Sequence, residues 1–150
     1  MVIALLSQMN PSLAQPDAQL EPRIDTIDTW MAGDDLEAIF ARVMTWQGED
    51  VWLGKAQNGL FHGSPLAATW IFRQLNSTRD ASLEAVFESE LVLGCNIMRH
   101  PEFAEGVRAL LVDKDRNPAW IYSDLASVPP EIVDTFFSAP ADMPALGLPE

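Results

Sequence analysis

Four basic residues lie close together in the second half of the chain, and their types suit them to bind a ligand. They are Arg99, Arg108, Lys114 and Arg116. Guanidinium and ammonium groups hold phosphates and carboxylates through charge-assisted hydrogen bonds. The alternative is that these bases simply pair with acidic neighbours such as Glu102, Asp113 and Asp115. The sequence leaves both interpretations open.

This local excess of bases contrasts with the charge of the whole chain. The 150 residues include 9 Lys or Arg and 22 Asp or Glu, which gives a net charge of −13. Binding to nucleic acid or to an anionic membrane surface needs clustered Lys and Arg that neutralise phosphates. The composition therefore argues against nucleic-acid and membrane partners, whereas a small anionic ligand would suit the one basic region.

No set of residues in the sequence is arranged for catalysis or for metal binding. The two histidines, His62 and His100, lack the neighbours that a zinc site or a catalytic triad needs, and the single Cys95 excludes an internal disulfide. Ser64 has no Gly-x-Ser-x-Gly setting and is expected to cap a helix, as is His100. We therefore predict no catalytic residue, no metal site and no cofactor.

The segment around the bases predicts a short helix. Pro101 suits a first helical turn, and Glu102 and Glu105 favour the positive end of the helix dipole. Apolar residues then recur at helical spacing, namely Phe103, Val107, Leu110 and Leu111. Gly106 costs about 1 kcal/mol relative to Ala in a helix, so we expect another backbone or a ligand to approach it. Glu105 is expected to bind Arg108 or a backbone group rather than to act as a base.

Helical spacing recurs along the rest of the chain, and no stretch alternates with the period of two that is typical of strands. The predicted helices cover about residues 2–9, 20–31, 36–44, 51–60, 65–75, 83–99, 101–111 and 132–137. Their starts carry caps at Asp34 or Asp35, Ser64 and Ser82, and Glu49 with Asp50 marks the start of the helix over residues 51–60. We therefore predict an all-α fold of seven or eight short amphipathic helices.

Proline and glycine positions indicate how the chain is organised. Residues 1–22 are predicted to be a truncated helix and a proline-containing connector, residues 23–138 a helical domain, and residues 139–150 a mobile tail. No apolar run approaches the roughly 18 residues that a membrane helix needs, and the apolar start lacks the marks of a signal peptide. These features lead us to expect a cytoplasmic protein.

The stretch from Arg99 to Trp120 also resembles a known family. Its pattern is Arg99-His100-Pro101-x-Phe103-x-Glu105-Gly106-Val107-Arg108-Ala109-x-Leu111-x-Asp113-Lys114-Asp115-x-x-Pro118-x-Trp120. The helix before it fits through Ser82-Leu83-x-x-Val86-Phe87 and Glu90, and Ser64-Pro65 fits further upstream. On these residues the chain resembles, from about Ile24 to Trp120, the C-terminal part of the 3-hydroxyisobutyryl-CoA hydrolase branch of the crotonase (enoyl-CoA hydratase/isomerase) superfamily.

The resemblance implies a fold and an activity for the intact protein. Members are longer acyl-CoA thioester hydrolases whose catalytic residues lie upstream, in a ββα crotonase core. This chain would be the C-terminal helical region without that core, would carry no catalytic residue and would be inactive alone. In the family these helices cover the active-site mouth, contribute to the CoA pocket and build subunit contacts. The implied partners are acyl-CoA in the intact enzyme, and the crotonase core or a second copy of the chain.

The same resemblance implies residues that bind CoA. Related hydratases place a lysine shortly after the Glu-Gly pair near the adenosine phosphate, and Lys114 resembles it with a spacing that is one residue longer. Arg116 and Arg108 are further phosphate partners, and Leu110 or Leu111 would lie near the adenine. The alternative for Lys114 is an exposed lysine that the dipole favours at the end of a helix.

Three functions remain open. In the first, the chain is the C-terminal helical part of a 3-hydroxyisobutyryl-CoA hydrolase-like protein and completes the acyl-CoA site and the subunit packing. In the second, it is a standalone helical interaction module with a crotonase-fold partner. Both predict exposed apolar surface and self-association. The third function is a weak CoA or nucleotide binder that uses the bases between residues 99 and 116, which predicts salt-sensitive binding by a monomer.

Overall fold

The computed structural model describes residues 17–143 and divides the chain into two units, Met1–Asp34 and Asp35–Glu150. In the first unit a 3₁₀ turn at Glu21–Arg23 leads into helix α1, Ile24–Trp30. The apolar stripe predicted over residues 20–31 therefore forms one helix with a tighter turn before it. The helix predicted over residues 2–9 and most of the predicted tail lie outside the described residues. The domain boundaries at 22 and 138 stay predictions.

The second unit is built from helices joined by short connections. They are α2 (Leu36–Met44), α3 (Val51–His62), α4 (Pro65–Ser77), α5 (Leu83–Arg99), α6 (Pro101–Val107) and α7 (Pro130–Phe136). A π-helical turn at Arg108–Val112 follows α6, and a 3₁₀ turn at Leu125–Ser127 precedes α7. Residues 17–143 contain no strand and seven α-helices, which confirms the predicted all-α fold. None of these helices is long and apolar enough to cross a bilayer.

Four helices begin at side-chain caps, three of them at residues that the sequence predicts as caps and the fourth at Asp50, one of the two residues predicted to start that helix. Asp35 and Asp50 accept hydrogen bonds from the backbone N–H groups two and three residues later, at 2.8–3.2 Å. Ser64 and Ser82 each accept one from the N–H three residues later, at 3.0 and 3.2 Å. Because these N–H groups have no partner inside the helix, local capping determines where each helix starts.

The core of the second unit lies where α7 packs against α4 and α5. Its buried residues are Leu66, Leu93, Val128, Val133 and Phe136, with Trp70, Ile97, Tyr122, Ile132 and Phe137 packed against them. The Asn96 side chain donates to the carbonyls of Phe136 and Ser138, both at 3.0 Å, and Arg73 pairs with Asp134. These contacts attach the last helix to the two longest ones.

The apolar stripes of α4 and α5 are only partly buried. Helical spacing of the apolar residues predicts a stripe on α5 that includes Phe87 and Met98, yet these two side chains are 47% and 71% exposed, and Leu93, which is not part of that stripe, is buried. The predicted buried face of α4 likewise includes Ile71 and Leu75, which are exposed. The reason is that α5 has 17 residues whereas its partners α6 and α7 have 7 each. Much of its surface is therefore left uncovered.

Helix α6 is shorter than the sequence predicts. Apolar spacing predicts one α-helix to Leu111, but α6 ends at Val107 and the next turn is π-helical, with the N–H of Asp113 donating to the carbonyl of Arg108 at 2.8 Å. A π turn takes up one extra residue and so rotates the side chains that follow. Leu110 and Leu111 are 60% and 62% exposed. The chain is therefore helical past Leu111, as predicted, but its last turn is π-helical rather than α-helical.

Candidate functional site

Arg108 lies at the centre of the basic stretch, and its guanidinium is fully occupied within the chain. Nε and one Nη donate to the Glu105 carboxylate at 2.9 and 2.8 Å. The other Nη donates to Asp113 at 2.6 Å and to Asp115 at 2.7 Å, and the Nη that binds Glu105 also donates to the Asn117 carbonyl at 3.1 Å. A guanidinium has five N–H donors, and these bonds use all of them. The contact predicted between Arg108 and a CoA phosphate stays a prediction.

The hydrogen bonds around Arg108 hold the neighbouring carboxyl groups in their ionised forms. The bonds from Arg108, and then the N–H of Ala119 at 2.7 Å, lower the pKa of Glu105 to about 2. Arg108, followed by the N–H of Asn117, also lowers the pKa of Asp115. The carboxylates in turn raise the pKa of Arg108, with Glu105 having the largest effect. The prediction that Glu105 is a structural partner of Arg108 and of a backbone group is confirmed.

Lys114 and Arg116 differ from the other two bases of the stretch. Arg99 pairs with Asp142 at 3.0 Å, whereas the side chains of Lys114 and Arg116 are exposed and have no hydrogen-bond or ion-pair partner within residues 17–143. Both have left-handed backbone, with φ of 56° and 54°, which is uncommon for residues other than glycine. The N–H of Arg116 donates back to the Ala109 carbonyl at 3.0 Å. Local pairing thus accounts for two of the four bases and leaves two available.

Trp120 closes this segment onto α6. A Cβ placed on Gly106 would lie 3.3 Å from the Trp120 ring, and the indole N–H donates to the His62 carbonyl at 3.0 Å. The close approach predicted at Gly106 is confirmed, but the neighbour is a side chain of this chain rather than a backbone or a ligand. Trp120 therefore joins α6 to the end of α3.

Glu102 is a buried carboxylate for which the sequence suggests only an interaction with the helix dipole. It is 8% exposed and accepts hydrogen bonds from the Ser64 hydroxyl and from the N–H of Ile121, the latter at 2.8 Å. The Ser64 oxygen also accepts from the N–H of Ala67. His100 accepts from the N–H of Glu102 at 3.3 Å, which confirms that His100 is a helix cap. The sequence carries no local signal for the burial of Glu102, because its partners are 38 and 19 residues away.

A groove of about 740 Å³ lies beside these contacts. Its walls come from α3 to α7 and are mainly apolar, and they include Leu66, Trp70, Ile97, Phe103, Trp120 and Phe136. Of the residues predicted to contact CoA, the groove includes Arg116, Leu110 and Leu111 but not Lys114 or Arg108. The sequence signal for a groove is a set of glycines on or beside helices, Gly59, Gly63 and Gly106, which leave room for a neighbour.

The polar residues of the groove do not form a metal site. Ser64, His100 and Glu102 lie on its walls and bind one another or backbone groups as described above. Within residues 17–143 no group of three or more His, Cys, Asp or Glu side chains could hold a metal ion. The described site is therefore an apolar groove with Arg116 on its wall and Lys114 two residues away in the sequence.

The chain matches the family model described as enoyl-CoA hydratase/isomerase over residues 2–137. It is 34% identical over 120 residues to the mitochondrial 3-hydroxyisobutyryl-CoA hydrolase of Danio rerio, and 31% identical over 118 residues to that of Gallus gallus. The alignments cover 80% and 79% of this chain but 31% and 30% of the two relatives. The chain thus spans about a third of the length of the curated relatives it matches.

A solved structure supports the same resemblance. The chain superposes on an enoyl-CoA hydratase from Rhodobacter sphaeroides with a TM-score of 0.71 and 29% sequence identity. The superposition covers 92% of this chain and 41% of that chain. These matches confirm the resemblance that the motif between Arg99 and Trp120 predicts.

Proposed function

The chain belongs to the enoyl-CoA hydratase/isomerase family, and we propose that it is the C-terminal helical part of a 3-hydroxyisobutyryl-CoA hydrolase-like protein. In that role it completes the acyl-CoA site and contributes to the packing of the intact enzyme. The observation that carries the proposal is a pair of cations, Lys114 and Arg116, that have no partner within residues 17–143 and lie next to exposed apolar side chains. An acyl-CoA has complementary chemistry, because it combines anionic phosphates with a flat adenine ring.

Arg108 supports this role as a positioning residue. Asp113 and Asp115 flank Lys114 in the sequence, and both are bound to Arg108. Without that pairing, the two carboxylates would pair with Lys114 or repel an approaching phosphate. With it, Lys114 and Arg116 remain exposed, so they are the phosphate partners that we propose. We do not assign Arg108 itself to the ligand, since all its N–H donors are used within the chain.

The π turn supports the correspondence between Lys114 and the phosphate-binding lysine of related hydratases. The spacing from the Glu-Gly pair to Lys114 is one residue longer than in those enzymes, and a π turn takes up one extra residue within a helix. We infer that the turn returns Lys114 to the corresponding register. Leu110 and Leu111 are left exposed within the same turn, as a contact with adenine would require.

The proposal assigns no catalytic residue to this chain. Thioester hydrolysis needs an oxyanion hole and groups that move protons and activate water. Ser64 and Glu102 line the groove, but they are buried and bonded to each other. We therefore expect the chain alone to leave 3-hydroxyisobutyryl-CoA intact. The catalytic groups would come from the part of the family's length that this chain does not span.

Calorimetric titration of the 150-residue chain with CoA tests this function. We expect binding that weakens as the salt concentration rises, because the proposed contacts are with phosphate. Lys114→Ala should weaken the binding about tenfold, the effect of losing one charge-assisted contact. Lys55→Ala is the matched control, since Lys55 is an exposed lysine on α3 outside the segment, and it should bind CoA like the wild type.

Three results would contradict the proposal. One is the absence of heat on titration with CoA at any salt concentration. Another is an equal loss of affinity for CoA in Lys55→Ala and Lys114→Ala, which would mean that CoA binding depends only on the overall charge of the chain. The third is release of free CoA thiol from 3-hydroxyisobutyryl-CoA by the purified chain, which would require catalytic groups within it.

A further inference from the structure

We propose that the groove binds a small amphipathic carboxylate, a molecule with an apolar body and one anionic end. This ligand class differs from acyl-CoA, and the groove overlaps the CoA contacts proposed above only at Arg116, Leu110 and Leu111. The inference is carried by three observations: the size and apolar lining of the groove, a glycine on its wall that faces open space, and an arginine on its wall that has no ion-pair partner in the part of the chain that the structure describes.

The groove is large enough and apolar enough for such a molecule. Its volume of about 740 Å³ lies within the range of about 300–1,000 Å³ that is typical of small-molecule pockets. The rings of Trp70, Trp120 and Phe136 and the aliphatic side chains of Leu66 and Ile97 form much of its wall. Contact with a hydrocarbon would remove this surface from water, which favours an apolar body over a polar one.

Gly59 indicates where the apolar body lies. This residue is within α3, where glycine is less favourable than alanine. A Cβ added to Gly59 would meet no atom of the described chain within 4 Å, so packing inside the chain does not require glycine here. Gly59 does line the groove. With no side chain at this position, a ligand can lie directly against the helix backbone.

Arg116 supplies the charge that selects an anion. Among residues 17–143 it is the one Lys or Arg on the groove wall, and it has no ion-pair partner there, whereas Arg73, Arg99 and Arg108 each pair with a carboxylate. Glu102 is also on the wall, but its oxygens accept from a serine hydroxyl and a backbone N–H. In a chain with a net charge of −13, an available cation beside an apolar groove is complementary to a carboxylate with an apolar tail.

Decanoate is the probe for this site, because it joins a hydrocarbon chain to one carboxylate that is ionised at neutral pH. Calorimetric titration of the full chain should give one saturable site. Gly59→Ala should weaken the binding about tenfold, since the added methyl group occupies the space of the ligand. Gly94→Ala is the matched control: a Cβ there also meets nothing within 4 Å, and Gly94 lies outside the groove. It should bind decanoate like the wild type.

The charge requirement is tested with Arg116→Gln and with decanol, which has the hydrocarbon chain without the carboxylate. The substitution should weaken decanoate binding about tenfold and leave decanol binding unchanged. Parallel titrations with CoA separate this inference from the proposed function. Gly59→Ala should weaken the binding of decanoate and leave the binding of CoA unchanged, whereas Lys114→Ala should weaken the binding of CoA and leave that of decanoate unchanged. The proposal is overturned by a lack of saturable decanoate binding. It is also overturned by equal affinities of the wild type, Gly59→Ala and Arg116→Gln, since decanoate would then adsorb to other exposed apolar surface.

Discussion

The hydroxyl group of Ser64 makes two contacts that belong to different helices. It accepts a hydrogen bond from the N–H of Ala67 at 3.0 Å, which caps α4, and it donates to the carboxylate of Glu102 at the start of α6. Glu102 is only 8% exposed, so the loss of this donor would leave a buried charge with one partner fewer. The side chain therefore contributes more to stability than a cap alone.

We expect Ser64→Ala to lower the free energy of unfolding by about 2–4 kcal/mol, the sum of a lost cap and of a buried carboxylate without its donor. Urea denaturation measures the loss. Ser82→Ala is the matched control, because Ser82 caps α5 through the N–H three residues later but is exposed. That variant should lose about 1 kcal/mol. Equal losses would mean that the Ser64–Glu102 bond adds nothing to the cap.

Which single residues could be predicted depends on how far away their partners are. The caps at Ser64 and His100 could be predicted, because each side chain binds an N–H group two or three residues away. The burial of Glu102 could not be predicted, because the Ser64 hydroxyl that donates to its carboxylate is 38 residues away. The same limit applies to Arg99, whose carboxylate partner Asp142 is 43 residues away. The sequence alone could not separate the paired bases from the available ones.

Among the elements, α6 is constrained by the ring that lies on Gly106. The Trp120 indole is held by its hydrogen bond to the His62 carbonyl at 3.0 Å, so it has little freedom to move. A methyl group at residue 106 would lie 3.3 Å from this ring, inside the distance of about 3.5–4.0 Å at which carbon atoms attract most strongly. Glycine is therefore required here by packing, whereas at Gly94 nothing in the described chain requires it.

Gly106→Ala should accordingly lower the free energy of unfolding by about 1 kcal/mol, because overpacking outweighs the higher helix propensity of alanine. Gly94→Ala adds a methyl group to open space on α5 and should raise the free energy of unfolding by as much as about 1 kcal/mol. Thermal unfolding followed by circular dichroism compares the two variants. If both stabilised the chain equally, the Trp120 ring would have to be mobile and the segment loosely held.

The starts of helices could be predicted better than their ends. The starts at Asp35 and Asp50 follow from short polar side chains that bind the next N–H groups. The end of α6 depends instead on Arg108, which bonds to Asp113 and Asp115 beyond the helix. Apolar spacing carries no information about those bonds, so it predicted an α-helix where a π turn forms.

The whole chain combines strong negative charge with much exposed apolar surface. Its net charge is −13, yet Leu75, Leu83, Phe87 and Met98 on α4 and α5 are between 47% and 72% exposed. The apolar periodicity of these helices is clear in the sequence, but whether a stripe is covered depends on partners that a single helix does not specify. A chain spanning about a third of its relatives' length has surface of the kind that longer members of the family could cover.

For the chain by itself, we expect these apolar side chains to drive self-association that becomes stronger as salt is added. Copies that each carry −13 repel one another, and salt screens this repulsion to a range of about 8–10 Å. This dependence on salt is opposite in sign to that expected for CoA binding.

Sedimentation velocity over a series of protein concentrations, in low and in high sodium chloride, measures the self-association. Leu75→Gln removes an exposed apolar side chain without a change in charge and should shift the chain towards monomer, whereas Asn58→Gln, at an exposed polar position on α3, should not. Association that weakens with salt would instead indicate contacts between opposite charges, and a monomer under all conditions would mean that these stripes do not attract one another.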